Sequence, residues 1–488
     1  VYQRVSRRCA GVLGVLSAIA ALAAPAAAPP PAPADVAARG LAHDIFRQLI
    51  EINTTDSVGS TTVAARAMAD RLLAAGFAPA DVVVLGPNER KGNLVARYRG
   101  SVGGKKRPLL IIAHLDVVEA RREDWTTDPF RFVEQDGYFY GRGTQDMKDN
   151  DAIVVADFIR LKTRGYVPNR DMILALTADE EGGHSNGVDW LLKNHRDLVD
   201  AEFVVNPDAG GVSTDHGKPL AVEIEATEKL YADFQLLATN AGGHSSLPKP
   251  DNAIYHVADA LAKLERAPFP FELNAVTREY LAHMASVETA QNAADIRAVL
   301  AEPPDAAAVA RLSADARYNS TLRTTCVATM LGGGHAPNAL PQRAEANVNC
   351  RILPGHSQEE VRLGLVKLFD DPELAVRYRS DAGDLTDTAS DRKAMAPPPL
   401  RADVMDAIRR ASAPRWPGAP IIPEMETGAS DSVYTMLAGI PSYGVSGVAI
   451  DRDDVRMHGK DERVRVASFD EGLDFYRDFL VALTSDSR

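Results

Sequence analysis

The chain has 488 residues, 45% hydrophobic and 25% charged, with 67 acidic against 54 basic side chains and a formal net charge of −13. Its length exceeds the usual single-domain ceiling, so two domains are expected of an otherwise ordinary globular composition. The acidic balance argues against nucleic acid or an anionic membrane as partner, since either needs basic patches, but it leaves an anionic substrate open.

Arg4, Arg7 and Arg8 precede an apolar stretch from Cys9 to Ala23, and Ala/Pro-rich sequence follows. Positive charges, a short apolar region and small residues at Ala26-Ala27-Ala28 make an export signal, with residues 1–34 outside the fold. The stretch is too short and too Ala-rich for a membrane span, although a retained anchor is the alternative. Ser6-Arg7-Arg8 resembles a twin-arginine signal, but Cys9-Ala10-Gly11 lacks the bulky residue after it, so Sec export is expected. The mature protein is expected to be periplasmic or secreted, without stable membrane association. Cys9 would leave with the signal; Cys326 and Cys350 could pair in an oxidising compartment or remain separate buried thiols.

Ala42 to Ile52 and Thr61 to Ala75 have helical periodicity, the second stopped by Gly76. Strands then alternate with helices to about Lys229, which predicts a mostly parallel sheet flanked by helices. Three short runs carry little alternation and read as strands buried on both faces. Leu109-Leu110-Ile111-Ile112-Ala113 leads into His114 and Asp116; Met172-Ile173-Leu174-Ala175-Leu176 leads into Asp179, Glu180 and Glu181; Glu202-Phe203-Val204-Val205 leads into Asn206 and Asp208. Ligands bind beyond the carboxyl ends of such strands, so three acidic or imidazole clusters at three such ends predict one pocket. Mixed imidazole and carboxylate donors suit divalent cations, and five are enough for two. After Lys229 the pattern changes to a strand at Tyr231–Ala238, a helix at Ile254–Leu264, an Ala- and Glu-rich helical stretch at Arg266–Ala316, and a strand at Gln342–Leu353. A separate α+β domain inserted into the first is expected over residues 229–384. The first domain then covers 35–228 and 385–488, rejoined through a polar linker at Asp381–Pro399.

His114-Leu115-Asp116, Gly141-Arg142-Gly143-Thr144-Gln145-Asp146-Met147-Lys148, Asp179-Glu180-Glu181, Gly242-Gly243-His244-Ser245-Ser246 and His458-Gly459-Lys460 occur in that order. The ordered set resembles the zinc peptidases of the M20 type, a group with carboxypeptidases, dipeptidases and aminoacylases, over roughly Ala42 to Leu483. The resemblance implies two divalent ions, zinc by expectation and cobalt or manganese as options. His114, Asp146 and Asp208 would hold one, and Asp146, Glu181 and His458 the other, with Asp146 bridging. It implies Glu180 as general base, Asp116 as the residue that orients a ligand, and His244 as the oxyanion donor, supplied in dimeric members by the partner subunit. Asn338 and Arg351 resemble the pair that holds the substrate carboxylate, for which a guanidinium fork is suited. Arg351, following a strand at Ala344–Asn349, would project from a strand end. The inserted domain matches the family's lid or dimerisation domain, so a homodimer is implied. Thr427-Gly428-Ala429-Ser430-Asp431 departs from the family's usual run, which leaves the substrate-pocket wall open.

Together these imply an exported two-metal hydrolase of small peptides, of carboxypeptidase or dipeptidase type. A water acidified by the ions would lose its proton to Glu180, attack the carbonyl, and see that proton passed to the leaving amine. An N-acyl amino acid amidohydrolase is the near alternative, since only the acyl pocket differs. A noncatalytic metal- or peptide-binding protein would not need an intact Glu180. An aminopeptidase of the M28 type would lack the inserted segment that carries His244.

Overall fold

The computed structural model describes residues 33–486 apart from 102–105, 381–382, 394–396 and 398–399. The expected export signal and Cys9 lie outside the described residues. A ten-stranded mixed sheet organises the first domain. Its central strands Met172–Thr177, Leu109–His114, Phe203–Asn206 and Ser442–Gly444 are parallel neighbours. Antiparallel strands flank them, with Asn93–Tyr98 and Val82–Leu85 on one side and Lys218–Glu228 and Gly211–Asp215 on the other. Ile421–Glu426 adds a parallel edge to Lys218–Glu228.

The absence of alternation in the central strands has a direct cause. Leu109, Ile111 and Ala113 enter one core, built with Phe46, Phe158, Phe469 and Tyr476 from helices on that face and Phe139 from the strand Tyr138–Tyr140. Leu110 and Ile112 enter a second core on the opposite face, with Val188, Leu191 and Ile440. Both sets are buried, so every position of the strand is apolar. The chain must then turn at the carboxyl ends, where the apolar runs stop at His114, Thr177 and Asn206.

The inserted domain is a five-stranded antiparallel sheet, in the order Thr325–Gly333, Arg343–Ile352, Leu230–Thr239, Leu374–Arg379, Leu385–Thr386. Only one face is covered, by helices Ala253–Arg266 and Gln358–Phe369. Accordingly Leu230, Ala232, Phe234 and Leu236 alternate with more exposed neighbours and pack on Val257, Leu264, Leu365 and Phe369. Ser357 and Glu360 form a capping box that starts the second helix. The long stretch expected to be helical is four helices within 275–321, closed around their own core of Leu281, Ile296, Val299, Leu312 and Tyr318.

Two details depart from the sequence-based expectations, and one open alternative is decided. The strand expected over Gln342–Leu353 is observed at Arg343–Ile352, so Arg351 lies inside a ladder and does not follow a strand ending at Asn349. The Asp381–Pro399 linker contributes the edge strand Leu385–Thr386, which carries the lid sheet past residue 384. Of the two states left open for the cysteines, the structure has the paired one. Cys326 and Cys350 are direct partners in the ladder, with Cα atoms 4.1 Å apart, and are joined as a disulfide.

Candidate active site

His114 closes its strand and is almost fully buried. Its Nδ1–H donates to the Asp116 carbonyl at 3.0 Å, which leaves the Nε2 lone pair pointing outward, the state a metal ligand needs. Nε2 lies 3.1 Å from Asp146 Oδ1 and 3.5 Å from Asp208 Oδ1. On the other side of Asp146, His458 Nε2 is 3.0 Å from Oδ2 and 2.9 Å from Glu181 Oε2. The five donors thus fall into two groups that share Asp146, one oxygen to each. Donor atoms of His114, Asp146 and Glu181 lie within 4.8 Å of one another. Three carboxylates and two imidazoles, linked by contacts of 3.5 Å or less, form a donor set that fits divalent cations.

Glu180 and Glu181 are adjacent and diverge. Glu181 faces His458, whereas the Glu180 carboxylate lies 4.0 Å from His114 Nε2 and is only 15% exposed. Burial first, then the Asp208, Asp431 and Glu181 charges, push the Glu180 carboxyl well above the ordinary range, against the pull of His114. The Asp116 carboxylate accepts the backbone N–H groups of Glu180 at 3.2 Å and Glu181 at 3.0 Å. Asp116 therefore orients His114 through its carbonyl and the glutamate pair through its carboxylate.

The other expected residues are not gathered at this cluster. His244 is exposed on the short strand Gly243–His244, and its Nδ1 accepts from Ser246 Oγ at 2.7 Å. Asn338 lies beside it, its carbonyl accepting the Ser245 N–H. Arg351 sits at the opposite end of the lid sheet, its guanidinium 4.8 Å from the centre of the Tyr231 ring.

Several residues that sequence reasoning passed over hold the site in place. Glu462 is fully buried and accepts from Arg142 Nη1 at 2.5 Å and from the N–H groups of Gly143, Gln145 and Asp146 at 3.2, 2.7 and 3.2 Å. One carboxylate thus folds the whole bridging turn. Arg142 also reaches the His458 carbonyl at 3.4 Å, tying the two chain regions together. Gly143 has φ +92°, and a Cβ there would meet Lys148 and Val117 at 3.0 Å, so no other residue suits the turn. Behind the glutamate pair, Lys91 binds both Asp179 and Asp56. Asp431 accepts from Asn186 Nδ2 at 2.6 Å and Thr177 Oγ1 at 3.0 Å beneath the same loop. The Asp-Glu ending of the His458 motif was the available signal for Glu462. Lys91 and Asn186 had none.

Residues 110–482 match the profile of Peptidase family M20/M25/M40. The chain is 28% identical over 381 residues to the N-fatty-acyl-amino acid synthase/hydrolase of Homo sapiens, covering 75% of this chain and 72% of that protein. It is 26% identical over 403 residues to the probable carboxypeptidase S-like 2 of Dictyostelium discoideum, covering 79% and 73%. Among solved structures, the M20 family metallo-carboxypeptidase Sso-CP2 from Sulfolobus solfataricus aligns with a TM-score of 0.65 at 16% identity, covering 91% of this chain and 99% of that one. Human carnosine dipeptidase 1 aligns with 0.61 at 15%, covering 93% and 99%. The structural likeness shows the fold, and the profile shows the lineage: the chain belongs to peptidase family M20/M25/M40 and is a metallopeptidase or amidohydrolase of that group.

Proposed function

We propose that the protein hydrolyses the amide bond of small peptides at a two-cation centre, with Glu180 as general base. The observation that carries this reading is the division of donors on either side of Asp146, with Glu180 beside the cluster and outside both groups. Bound there, two cations would acidify a coordinated water and polarise the substrate carbonyl. Glu180, in a mostly buried pocket that raises its basicity, would, as the carboxylate beside the bound cations, take a proton from the attacking water and return it to the leaving amine. Asp116 holds the backbone that aims Glu180, and Glu462 holds the backbone that aims Asp146.

N-acyl amino acids form a second substrate reading, favoured by the human relative's stated activity on N-fatty-acyl amino acids. Zinc is the proposed metal. A homodimer is proposed because the lid's edge strand Thr325–Gly333 exposes Val327, Met330 and Leu331, and because the family resemblance implies that a partner subunit supplies His244 as oxyanion donor. Arg351 and Asn338 are proposed to bind the substrate carboxylate. Export is proposed too, since an oxidising compartment would preserve the Cys326–Cys350 disulfide.

The test is a pair of substitutions in enzyme loaded with zinc, cobalt or manganese. Glu180→Gln should abolish most turnover of dipeptides and N-acetyl amino acids while keeping two ions per chain. Glu181→Gln should lose one ion. Two retained ions in both variants, with only Glu181→Gln inactive, would reverse the assignment.

A further inference from the structure

Next to the cation centre, five glutamates gather on one strand pair. Lys218–Glu228 and Ile421–Glu426 run parallel, and a bulge between Glu424 and Met425 changes their phase. Before it Glu424 lies opposite Glu225; after it Glu426 lies opposite Glu228. The bulge lets residues three apart on one strand match residues two apart on the other. Four carboxylates therefore occupy matched ladder positions, with Glu223 one pleat further along. Like charges directly opposite destabilise a sheet, and here they are also removed from water. Glu225 is 2% exposed and Glu228 is fully buried, whereas Glu223, Glu424 and Glu426 remain partly open.

The partners of these groups do not balance their charge. Glu228 Oε2 accepts the Ser430 N–H at 2.6 Å, Glu426 Oε1 the Gly428 N–H at 2.7 Å, and Glu223 Oε1 the Ser213 hydroxyl at 3.1 Å. Glu225 Oε2 and Glu228 Oε1 are buried without a hydrogen-bond partner. The charged neighbours that act most strongly on Glu225, Glu228 and Glu424 are other carboxylates. The adjacent basic residue is engaged elsewhere, since Lys229 Nζ donates to the Arg323 carbonyl at 2.7 Å. Buried carboxylates are normally paired, and among the described residues this wall has no positive partner.

Its position says what that partner is. Glu225 pairs with Gly444 in the sheet, and a Cβ on Gly444 would meet both Glu225 Cβ and Ala209 Cβ within 2.8 Å. Glu225 thus packs against the residue that follows Asp208. Glu228 and Glu426 hold the Ser430 and Gly428 amides, within the run left open as the wall of the substrate pocket. We propose that this acidic wall is a specificity subsite for a substrate carrying an ammonium or guanidinium group. The proposal rests on the amide-hydrolase reading of the neighbouring centre. It opposes a long apolar acyl chain at this wall, which would leave the carboxylates desolvated and still unpaired.

The test uses matched substrates on the metal-loaded full chain: dipeptides and N-acetyl amino acids with Lys against norleucine, and Arg against citrulline, at each position. The cationic member of at least one set should be favoured about tenfold or more in kcat/KM, the size of one charge-assisted hydrogen bond, chiefly through KM. Glu424→Gln and Glu426→Gln should each shrink that ratio. In parallel, calorimetry should show L-arginine binding more tightly than L-citrulline to wild type, with the difference reduced in Glu424→Gln. Hydrolysis of neutral substrates with no charge preference and no arginine binding would overturn the subsite and leave the hydrolase reading standing. Arginine binding lost in Glu424→Gln, with no amide cleaved, would do the reverse. A third calcium or zinc ion per chain in equilibrium dialysis, lost in Glu424→Gln, would overturn the proposal by making the cluster a metal site.

Discussion

Replacing Glu462 by Gln tests whether one buried carboxylate holds the bridging turn together. Glu462 Oε1 accepts the Gln145 and Asp146 amides, and Oε2 accepts Arg142 Nη1 and the Gly143 amide. Gln keeps the shape and one acceptor, so the Gln145 and Asp146 bonds can survive. Its amide nitrogen would face two donors, leaving Arg142, itself 3% exposed, as a buried charge without its anion. Removing one partner of a buried ion pair costs about 3–5 kcal/mol. Glu462→Gln should lower unfolding free energy by about that amount, read from the urea midpoint of metal-free protein. Because Arg142 also binds the His458 carbonyl, metal content after dialysis should fall as well. Adding Arg142→Met should recover part of the loss, since the stranded charge is gone. A Glu462→Gln protein with wild-type midpoint and two retained ions would refute this reasoning.

Lys91→Met should lower kcat about tenfold with little change in KM, because it leaves Asp179 buried without a cation behind the glutamate pair, and Lys91→Arg should restore part of it. His244→Ala should reduce kcat on the order of 10²–10³; mixing it with Glu180→Gln should restore activity through hybrid dimers, and no recovery after proven subunit exchange would assign the histidine to its own chain's cleft. Burial, and then Glu223 and Glu426, push the Glu424 carboxyl up to about 8, against an ordinary 4.5. Without a cationic ligand the folded chain then holds that proton where the unfolded chain has lost it, so the stability of the ligand-free chain should fall as pH rises between these values. Glu424→Gln should flatten that slope, and an unchanged slope would assign the pH dependence to other groups.

The residues of the candidate metal centre were legible because buried parallel strands leave an unbroken apolar run that ends abruptly at chemistry. His114, Glu181 and Asp208 each follow such a run, and Asp146 and His458 carry recognisable neighbours. The supporting residues were not legible, because their roles depend on long-range packing. Lys91 precedes an ordinary strand, Asn93–Tyr98, and nothing near it in sequence announces Asp179, 88 residues away. The strand over Gln342–Leu353 was legible, but not that Arg351 stays within its ladder, which depends on cross-strand pairing to Tyr231 and Thr325. The acidic wall escaped notice because its glutamates lie on two strands roughly two hundred residues apart, and only the bulge aligns them.

His114 and His458 stand at nearly opposite ends of the folded chain, and this separation has a kinetic meaning. During synthesis the chain carries His114, Asp146, Glu181 and Asp208 long before His458 and Glu462 exist. An incomplete chain therefore has three of the donors for one cation but an unfinished set for the other, and its Asp146 turn lacks the Glu462 anchor. Contacts this distant in sequence close late and slowly. Capture of the second ion should therefore mark the completion of folding, after the inserted domain has been made and the final helix Val466–Thr484 has docked.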